Sequence, residues 1–594
     1  MRQMKVLQGS LAGVLRTALL ASLLFALSLP SPAQAAPGDL DPTFGVGGKV
    51  TTDFGGGELA FAVAVQPDGK IVTAGGSDCC VGAFRLARHN PDGTLDIAFG
   101  NGGKVTTTFR GSDSASALAL QPDGKIVVAG STGGIFAFAL ARYLPDGSLD
   151  ATFGSGGKVT TNFGLAFALA IQPDGKIVVA GGTDNFLLAR YNPDGSLDPT
   201  FGAGGKVITD FGGDDSAFAL AFQADGKIVV AGKSEVFTGI VGGDFALARY
   251  NSDGSLDATF GNGGKVTTDF INHSVDGAFA VALQPDGKIV VGGATTPIPI
   301  VAPPAFALGR YLPNGSLDAT FGNSGKVITS FGGPLCNSKT CLSDGVRSLV
   351  LQPGGKIVAA GRFFTGLTGL GNFTGNFALA SYHPDGSVDT TFGDGGKVTT
   401  DFGGYDGAHA LALQPDGKLV VAGQAALSGI PPSSGDFALA RYRGDPTLFL
   451  ALAANKTAFA AGETLTLSTR MANSGPDTTV DQYLGALLPP SAGPAFGCPA
   501  NDAVAFVTET LGLVLTCLSA PPQSFPPFAR NVTIPADLSM TVTPNVFSIA
   551  WPAGAPSGPY VVFDAFIRSG SVADGSLDPG DLPALGTTSL SFMP

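Results

Sequence analysis

The sequence has 594 residues, of which 87 are Gly and 41 are Pro, and this length exceeds that of one ordinary domain. An apolar fraction of 44%, including 42 Phe, is large enough for an extensive core and argues against wholesale disorder. With 34 basic and 47 acidic residues the net charge is −13, which makes nucleic acid a poor candidate partner.

The first 35 residues have the features of a secretory signal peptide. A short basic region precedes an apolar run from Thr17 to Leu29, and Ala33 and Ala35 supply the small residues expected before a cleavage point. The run is shorter than the roughly twenty residues that span a bilayer, and no later stretch is long and apolar enough to do so. We therefore expect cleavage after Ala35 and a protein without a membrane span that is secreted, at the cell surface or in the periplasm.

The six Cys fall into three local pairs, as expected for disulfides in an oxidising compartment. The pairs are Cys336 with Cys341, Cys498 with Cys517, and Cys79 with Cys80. Adjacent residues bridge only through a strained ring, so the pairing of the last two stays open.

Three motifs recur seven times each in a fixed order, and this repetition dominates the prediction of the fold. The LDxxFGxxGKV motif begins at Leu40, Leu95, Leu149, Leu197, Leu256, Leu317 and, with Val in place of Leu, at Val388. The QPDGKI motif or a near variant begins at Gln66, Gln121, Gln172, Gln223, Gln284, Gln352 and Gln414. The ALARY-like run ends at His89, Tyr143, Tyr191, Tyr250, Tyr311, Tyr382 and Tyr442.

One repeat unit contains four β-like segments and no helical pattern. The segments are 167–171, 177–180, 186–191 and 206–211. They are apolar on both faces, so each sheet must be covered on both sides, and the Asp-Gly pairs between them favour tight hairpin turns. Seven four-stranded antiparallel sheets that must each be covered on both faces predict an all-β fold, a seven-bladed β-propeller.

The LDxTFGxGGKV, QPDGKIVVAG and DFALARYNPDG runs closely resemble the delta-60 repeat family of secreted bacterial proteins, a β-propeller group of undefined function. The resemblance covers about residues 38–443, with departures at Gly354, Ser381 and Asn314. It implies a bacterial propeller and supplies no substrate or partner.

The order of strands within a blade predicts how the ring closes. A similar arrangement in NHL-type propellers implies that AxALQ is innermost and GKVTTDF outermost. The segment Lys49–Phe54 is then an outer strand without a blade, whereas the last blade, His409–Tyr442, lacks an outer strand. We expect the N-terminal strand to complete the seventh blade and the propeller to occupy residues 38–444.

Antiparallel strands place the variable connections of all blades on one face. The large insertions are 233–243, 294–304, 334–344, 362–376 and 424–435. Insertions gathered on one face usually mark a binding face, although neutral drift is the alternative because long surface loops cost little. The candidate binding residues in these loops are Ile298, Ile300, Val301, Phe363, Phe364 and Phe373. A bridge between Cys336 and Cys341 would stiffen one loop and lower the entropy lost on binding.

Residues 446–594 alternate β-like runs with Pro-rich turns, which predicts a β-sandwich. The stretch Ala472–Pro476 is similar to bacterial extracellular Ig-like modules. A Cys498–Cys517 bridge would join two strands, or a strand and a loop.

The sequence offers little catalytic chemistry, and no catalytic residue is assigned. The four His are His89, His273, His383 and His409, at unrelated repeat positions, so they indicate no catalytic triad. His409 lies on an inner strand, where it would line the channel, or else pack or be solvated.

Two repeated sets of polar residues have competing interpretations. The Lys of QPDGK and the Arg of six ALARY-like runs form either an anion-binding ring or ion pairs with nearby Asp. The seven Gln that end the inner strands are expected to satisfy backbone groups around the channel.

No cofactor and no metal site is predicted, with calcium as the alternative. Asp194 and Asp198, with their copies, and Asp574, Asp578 and Asp581 place carboxylates at short spacing, but an EF-hand needs more oxygen ligands. Asx turns explain the same residues without a metal.

Two functions follow from this pattern. The first is a secreted noncatalytic binding or adhesion scaffold whose insertion-rich face binds an extracellular protein or glycan. The alternative is an extracellular hydrolase or lyase with its site in the propeller channel, which requires converging titratable groups there.

Overall fold

The computed structural model describes residues 36–77, 82–133, 136–235, 243–271, 274–297, 303–332, 345–367, 373–426 and 435–445, and the backbone of ten strands between residues 448 and 592. The predicted signal peptide lies outside the described residues, as do Cys79, Cys80, Cys336, Cys341 and Cys498. Cys517 ends a described strand, but only its backbone is described.

The repeats form seven four-stranded antiparallel sheets, and the described residues contain no helix. Six sheets take four consecutive strands: β2–β5 (Glu58–Val65, Ile71–Ser77, Phe84–His89, Lys104–Thr107), β6–β9 (Ser114–Leu120, Ile126–Thr132, Ala137–Tyr143, Lys158–Thr161), β10–β13 (Leu165–Ile171, Ile177–Gly182, Phe186–Tyr191, Lys206–Thr209), β14–β17 (Asp214–Phe222, Ile228–Glu235, Asp244–Tyr250, Lys265–Thr268), β18–β21 (Ser274–Leu283, Ile289–Pro297, Ala305–Tyr311, Lys326–Thr329) and β22–β25 (Gly345–Leu351, Ile357–Leu367, Phe373–Tyr382, Lys397–Thr400). The seventh contains β26–β28 (Gly407–Leu413, Leu419–Ala425, Asp436–Tyr442) and β1 (Lys49–Thr52). A single bridge between Gly76 and Ser114 joins the first two sheets.

The first strand of each repeat is innermost, as the sequence predicts. The strands β2, β6, β10, β14, β18, β22 and β26 each contact the first strands of both neighbouring blades, and β26 contacts β2. The seven contacts form a closed ring around a central channel.

The ring closes through the N-terminal strand. In the seventh blade β1 pairs antiparallel with β28, with Lys49 opposite Ala440 and Thr52 opposite Phe437. Arg441 Nε also donates to Asp41 Oδ2 at 2.8 Å. The predicted phase of the repeat is therefore confirmed, and the two ends of the propeller share one blade.

The hydrophobic core lies between neighbouring blades. Phe186 and Leu188 of one blade are fully buried with Ala217, Ile228 and Val230 of the next. Because each sheet meets a neighbour on both faces, its strands are apolar on both sides.

The connections on the two faces differ as predicted. On one face, the turn between the first two strands has five residues in all seven repeats, as at 172–176. In the six blades formed by β2–β25, the connection between the third and fourth strands has fourteen residues, as at 192–205. On the other face the connection between the second and third strands varies from 183–185 to 426–435. The loop expected over 362–376 is shorter, because β23 and β24 pair out to Leu367 and Phe373.

The C-terminal region forms two further sheets. Their strands are β29–β38 (Leu448–Ala454, Ala458–Phe459, Thr464–Asn473, Thr478–Leu487, Ala503–Val507, Leu513–Cys517, Ala529–Ile534, Leu538–Ala550, Gly558–Arg568, Ala584–Phe592). One sheet has the order β29-β31-β36, and the second joins β30, β38, β37, β32, β33 and β34, with β35 beside β32. The β-sandwich and its Ig-like character stay predictions. Within the described part of the chain, no helix is both long and apolar enough to cross a membrane.

Candidate binding site at the channel mouth

A β-bulge in every inner strand supplies the side chains of the site. In β10 the pairing with β11 shifts between Ala166 and Ala168, which leaves Phe167 outside the ladder. Gly181 lies opposite, and a Cβ there would come within 1.8 Å of the Leu165 carbonyl oxygen. The Gly of the VVAG run is therefore required for the bulge.

The seven bulge residues form a belt around the channel. They are Phe61, Ser116, Phe167, Phe218, Phe279, Arg347 and His409, all half-buried. Ring centroids are 5.1 Å apart for Phe167–Phe218, for Phe218–Phe279 and for Phe61–His409, and the Arg347 guanidinium lies 4.2 Å from the Phe279 ring. The belt combines an aromatic arc with one Arg and one His.

A cavity of about 250 Å³ adjoins the belt on the insertion-rich face. Its lining includes Phe218, Phe279, Arg347, Lys233, Glu235 and Thr296. Lys233 and Glu235 lie near the end of β15, and Thr296 near the end of β19, beside two of the long connections. The cavity thus opens among the variable loops.

His409 is a neutral hydrogen-bond acceptor in this structure. Burial, with the nearby guanidinium groups of Arg347 and Arg362, lowers the pKa of His409 to about 3. Gln424 hydrogen-bonds to the imidazole and donates through its Nε2 to the Tyr405 carbonyl oxygen at 3.4 Å. Gln424 Oε1 therefore accepts the imidazole proton from Nδ1, and His409 Nε2, which has no hydrogen-bond partner in the described part of the chain, keeps its lone pair.

Arg362 adds a second guanidinium beside the belt. Its Nη1 donates to the Tyr405 hydroxyl at 2.5 Å, and its Cζ lies 5.0 Å from the Tyr405 ring. Its stem packs on Gly407, where a Cβ would come within 2.9 Å of Arg362 Cδ. Gly407 therefore allows the guanidinium to sit between blades six and seven.

Buried carboxyl groups anchor the loops that lead into the inner strands. Asp113, Asp215, Asp276 and Asp406 each accept the backbone N–H of a Phe four to six residues earlier, at 2.5 to 2.7 Å. Burial is the main cause that raises the pKa of Asp276 to about 6 and of Asp406 to about 7. Their repetition identifies these carboxyls as structural.

The repeated Lys and Arg are paired with Asp, so they do not form an open basic ring. Arg190 Nε donates to Asp198 Oδ2 at 2.8 Å, and Lys176 Nζ is 3.2 Å from the same oxygen. Arg190 Nη1 also donates to the Ser252 carbonyl oxygen of the next blade. The equivalent Arg–Asp pairs are Arg88–Asp96, Arg142–Asp150, Arg249–Asp257, Arg310–Asp318 and Arg441–Asp41.

The seven Gln contribute to the turns through their main chains. Gln172 N donates to the Lys176 carbonyl oxygen at 2.8 Å. The buried side-chain Oε1 of all seven has no hydrogen-bond partner among the described residues. That the Gln side chains satisfy backbone groups around the channel therefore stays a prediction.

The carboxylates considered for calcium have other partners. Asp194 Oδ1 accepts from Ser196 N and Oγ, which is an Asx turn, and Asp198 is ion-paired. Asp574, Asp578 and Asp581 lie outside the described residues. Two acidic clusters occur elsewhere on the insertion-rich face: Asp53 with Glu58 and Asp436, and Asp244 with Asp269 and Asp276.

The predicted binding residues do not form a common exposed patch in the described structure. Phe363 is half-buried and lies 5.6 Å from the Phe331 ring, whereas Phe364 is buried. Only the backbone of Phe373 is described, at the start of β24. Ile298, Ile300 and Val301 lie outside the described residues, so their role stays a prediction.

Comparison with known protein families agrees with this geometry. Seven segments match the model of a domain of unknown function, the DUF5122 beta-propeller: residues 66–99, 121–153, 172–201, 223–260, 284–321, 352–392 and 414–448. The seven matched segments support assignment of the repeats to a β-propeller repeat family. A search of curated proteins finds no match.

Solved structures similar to this chain include a protein of unknown function, a propeller and an enzyme. A protein of unknown function from Dyadobacter fermentans is 12% identical, with 67% of this chain and 100% of that chain covered and a TM-score of 0.34. The Dos1 propeller is 10% identical, with 66% of this chain and 94% of that chain covered and a TM-score of 0.37. The Bombyx mori GH32 beta-fructofuranosidase BmSUC1 is 8% identical, with 72% of this chain and 87% of that chain covered and a TM-score of 0.26. These values carry no argument about function.

Proposed function

We propose that the protein is a secreted noncatalytic binding or adhesion scaffold of the delta-60 repeat type. Its insertion-rich propeller face binds an extracellular protein or glycan, and the C-terminal region acts as a spacer or second interaction module.

The belt and its cavity carry this proposal. Phe218, Phe279 and Arg347 are fixed by inner strands, while Lys233 and Thr296 come from strand ends beside the long connections. A concave site with apolar faces and a few placed polar groups is the usual form of a ligand site. The rigid strands supply its base, and the variable loops surround its opening.

A hydrolase or lyase is the second candidate because two carboxyl groups, Glu235 and Asp276, line the same cavity. Burial raises the pKa of Asp276 to about 6, as a general acid requires. However, Asp276 Oδ2 accepts the Phe270 N–H at 2.7 Å, the bond that Asp406 repeats in another blade, and Glu235 Oε1 lies 2.5 Å from Lys233 Nζ. Both carboxyls thus have structural partners, and binding is the better-supported function.

The test begins with a screen of the exported protein against glycans and extracellular proteins. Connections 298–304 and 368–372 are then replaced by three-residue links of the length of 183–185. We expect unchanged thermal unfolding and loss of the binding found in the screen. The control is Asp174→Asn in a uniform turn on the opposite face, which should bind normally. Binding that survives the loop exchange and is lost in Asp174→Asn would assign the site to the opposite face, and turnover of a bound glycan would favour the enzyme.

A further inference from the structure

We propose that a calcium ion binds between blades four and five, coordinated by the carboxylates of Asp244, Asp269 and Asp276. Asp244 begins β16, Asp269 follows the outer strand β17, and Asp276 lies near the start of β18 in the next blade. The ion would therefore tie two blades together on the insertion-rich face. This acidic triad makes a metal site that is separate from the ligand-binding function proposed above.

The three carboxylates converge on one point. One carboxylate oxygen from each Asp lies within 4.8 Å of the other two. Asp269 is exposed, Asp244 is half-buried and Asp276 is buried, so the triad extends from solvent into the blade junction. Burial raises the pKa of Asp244, and the Asp269 carboxylate raises it further, since like charges at this spacing repel one another. A cation among the three oxygens removes this repulsion.

Asp276 keeps one carboxylate oxygen for an ion. Its Oδ2 accepts the Phe270 N–H at 2.7 Å, whereas its buried Oδ1 forms no hydrogen bond of normal geometry among the described residues. The Thr295 hydroxyl lies opposite in the ladder and opposes the rise that burial causes in the pKa of Asp276. Its Oγ1 is also fully buried and unbonded within the described part of the chain. An ion coordinated by these two oxygens would satisfy both.

A second acidic triad, at the junction of blades seven and one, occupies the same positions in the repeat. Its members are Asp436, Asp53 and Glu58, in place of Asp244, Asp269 and Asp276 respectively. Glu58 and Asp276 each precede the bulge residue of their inner strand by three positions. Lys104 and Lys326 each donate from Nζ to the carbonyl oxygen of the Asp that follows the outer strand, at 2.5 and 2.6 Å. Both triads therefore have one neighbouring ammonium group.

An Arg supplies a further cation to the second triad alone. Arg85 in β4 forms an ion pair with Glu58. Ala307 in β20 has the equivalent register, since Arg85 lies opposite Gly75 and Ala307 lies opposite Gly293. The described contacts thus join three carboxylates to two cations at one junction and to one cation at the other. A divalent cation at the junction of blades four and five would supply the charge that Arg85 supplies at the second triad.

The donor atoms favour calcium over other metal ions. Zinc prefers His and Cys ligands, and the described members of this cluster are all Asp. Magnesium demands a nearly ideal octahedron, whereas calcium accepts six to eight oxygens in irregular geometry. Three carboxylates from separate strands, with water at the exposed Asp269, match calcium. We expect a Kd between about 0.1 and 1 mM, the range of extracellular calcium modules.

Calorimetric titration of the full exported chain with calcium chloride, after treatment with EDTA, tests the site. We expect binding in the range given above and a melting temperature that rises with calcium concentration, because the ion binds only the folded state. Magnesium chloride should bind about tenfold or more weakly. No calcium binding, or tighter binding of magnesium, overturns the inference.

Variants assign the ion to this junction. Ala307→Arg installs the cation that the second triad contains, so one bound calcium per chain should be lost. Asp244→Asn should weaken that site by about tenfold or more, and it carries the test if Ala307→Arg does not fold. The control is Asp210→Asn, which removes an exposed carboxylate equivalent to Asp269 in blade three, where Asn185 stands in place of the first Asp. It should bind calcium normally.

Thermal unfolding in EDTA verifies that each variant is folded. Unchanged calcium stoichiometry in Ala307→Arg and unchanged affinity in Asp244→Asn overturn the inference. Equal weakening by Asp210→Asn also overturns it, because the effect would then follow from the loss of any acidic charge on this face. The proposed function fails separately, if loop exchange has no effect on any ligand from the screen.

Discussion

Asp406 is a buried carboxyl group whose ionisation opposes folding. It is fully buried, its Oδ2 accepts the Phe402 N–H at 2.6 Å, and burial with the neighbouring Asp401 raises its pKa to about 7. The folded state therefore keeps a proton that the unfolded chain releases above pH 4. This group costs no stability below pH 4, and it destabilises the fold progressively as the pH rises from 4 to 7.

Asp406→Asn should raise the melting temperature at pH 8, with a gain on the order of 2 kcal/mol in unfolding free energy. The amide has the shape of the protonated carboxyl, and its oxygen can still accept the Phe402 N–H. The gain should vanish near pH 4, where Asp406 is protonated in both states. Melting curves from pH 4 to 8 measure how this gain in stability depends on pH, with Asp225→Asn in an exposed turn as the control. A gain of the same size at every pH would show that titration is not the cause.

Single residues also show why part of the site escaped prediction. The sequence pattern places Phe167, Arg347 and His409 within inner strands, and His409 was considered as a channel residue. A bulge moves a side chain without altering the apolar pattern on either side of it, so the equivalence of these residues is visible only in the strand register. The Gly of the VVAG run is the sequence feature that indicates the bulge, because a Gly within a strand marks a close approach of two backbones.

At the scale of the blade, each Arg of the ALARY-like runs links two neighbouring sheets. Arg190 is 5% exposed and bonds Asp198 in its own blade and the Ser252 carbonyl oxygen in the next, while its guanidinium lies 4.5 Å from the Phe201 ring. The LDxTFG motif thus provides the anion and the aromatic ring for one Arg. In blade six, Ser381 replaces this Arg, and Lys356 lies 2.8 Å from Asp389.

Arg190→Met should destabilise the protein by about 3 kcal/mol, because it leaves the buried Asp198 carboxylate with the half-exposed Lys176 as its remaining cation and removes a bond between blades. Lys176→Met is the matched control, since it removes the other cation from the same Asp198 but is itself 30% exposed. Its cost should be below about 1 kcal/mol. Urea unfolding midpoints of the two variants measure this difference. Equal losses of unfolding free energy would mean that the buried bond between blades adds no stability.

The strands themselves were predictable because each has an apolar pattern and a fixed turn. Segments 177–180 and 186–191 fall within β11 and β12, and the turn between the first two strands of every repeat is five residues long. The ends of β23 and β24 were not predictable, since Phe363 and Phe364 read as exposed loop residues. Pairing of the two strands out to Leu367 and Phe373 extends the hairpin, and Phe364 becomes buried.

At the scale of the whole molecule, the ring depends on a noncovalent contact between its two ends. Six blades take all four strands from consecutive sequence, so each is held by its own short turns. The seventh takes β1 from nearly 400 residues away, and Arg441 with Asp41 fixes the same junction. Since every blade is covered by two neighbours, opening this junction exposes the faces of two blades. The out-of-phase start of the repeat predicted this closure correctly.

A matched pair of Pro variants tests the closure. Thr51 in β1 and Thr160 in β9 occupy the same position in the KVTT run, are both exposed, and pair with equivalent residues, Ala438 and Ala139. Pro at either position disrupts an outer strand to the same local extent. Thr160→Pro should only fray the edge of blade two, because β9 remains tethered on both sides. Thr51→Pro should also release the ring, so we expect a melting temperature lower by several degrees and a broader transition. Calorimetry and limited proteolysis of both variants measure the difference. If the two lose equal stability, β1 behaves as an ordinary edge strand, and the integrity of the propeller does not depend on the contact between its ends.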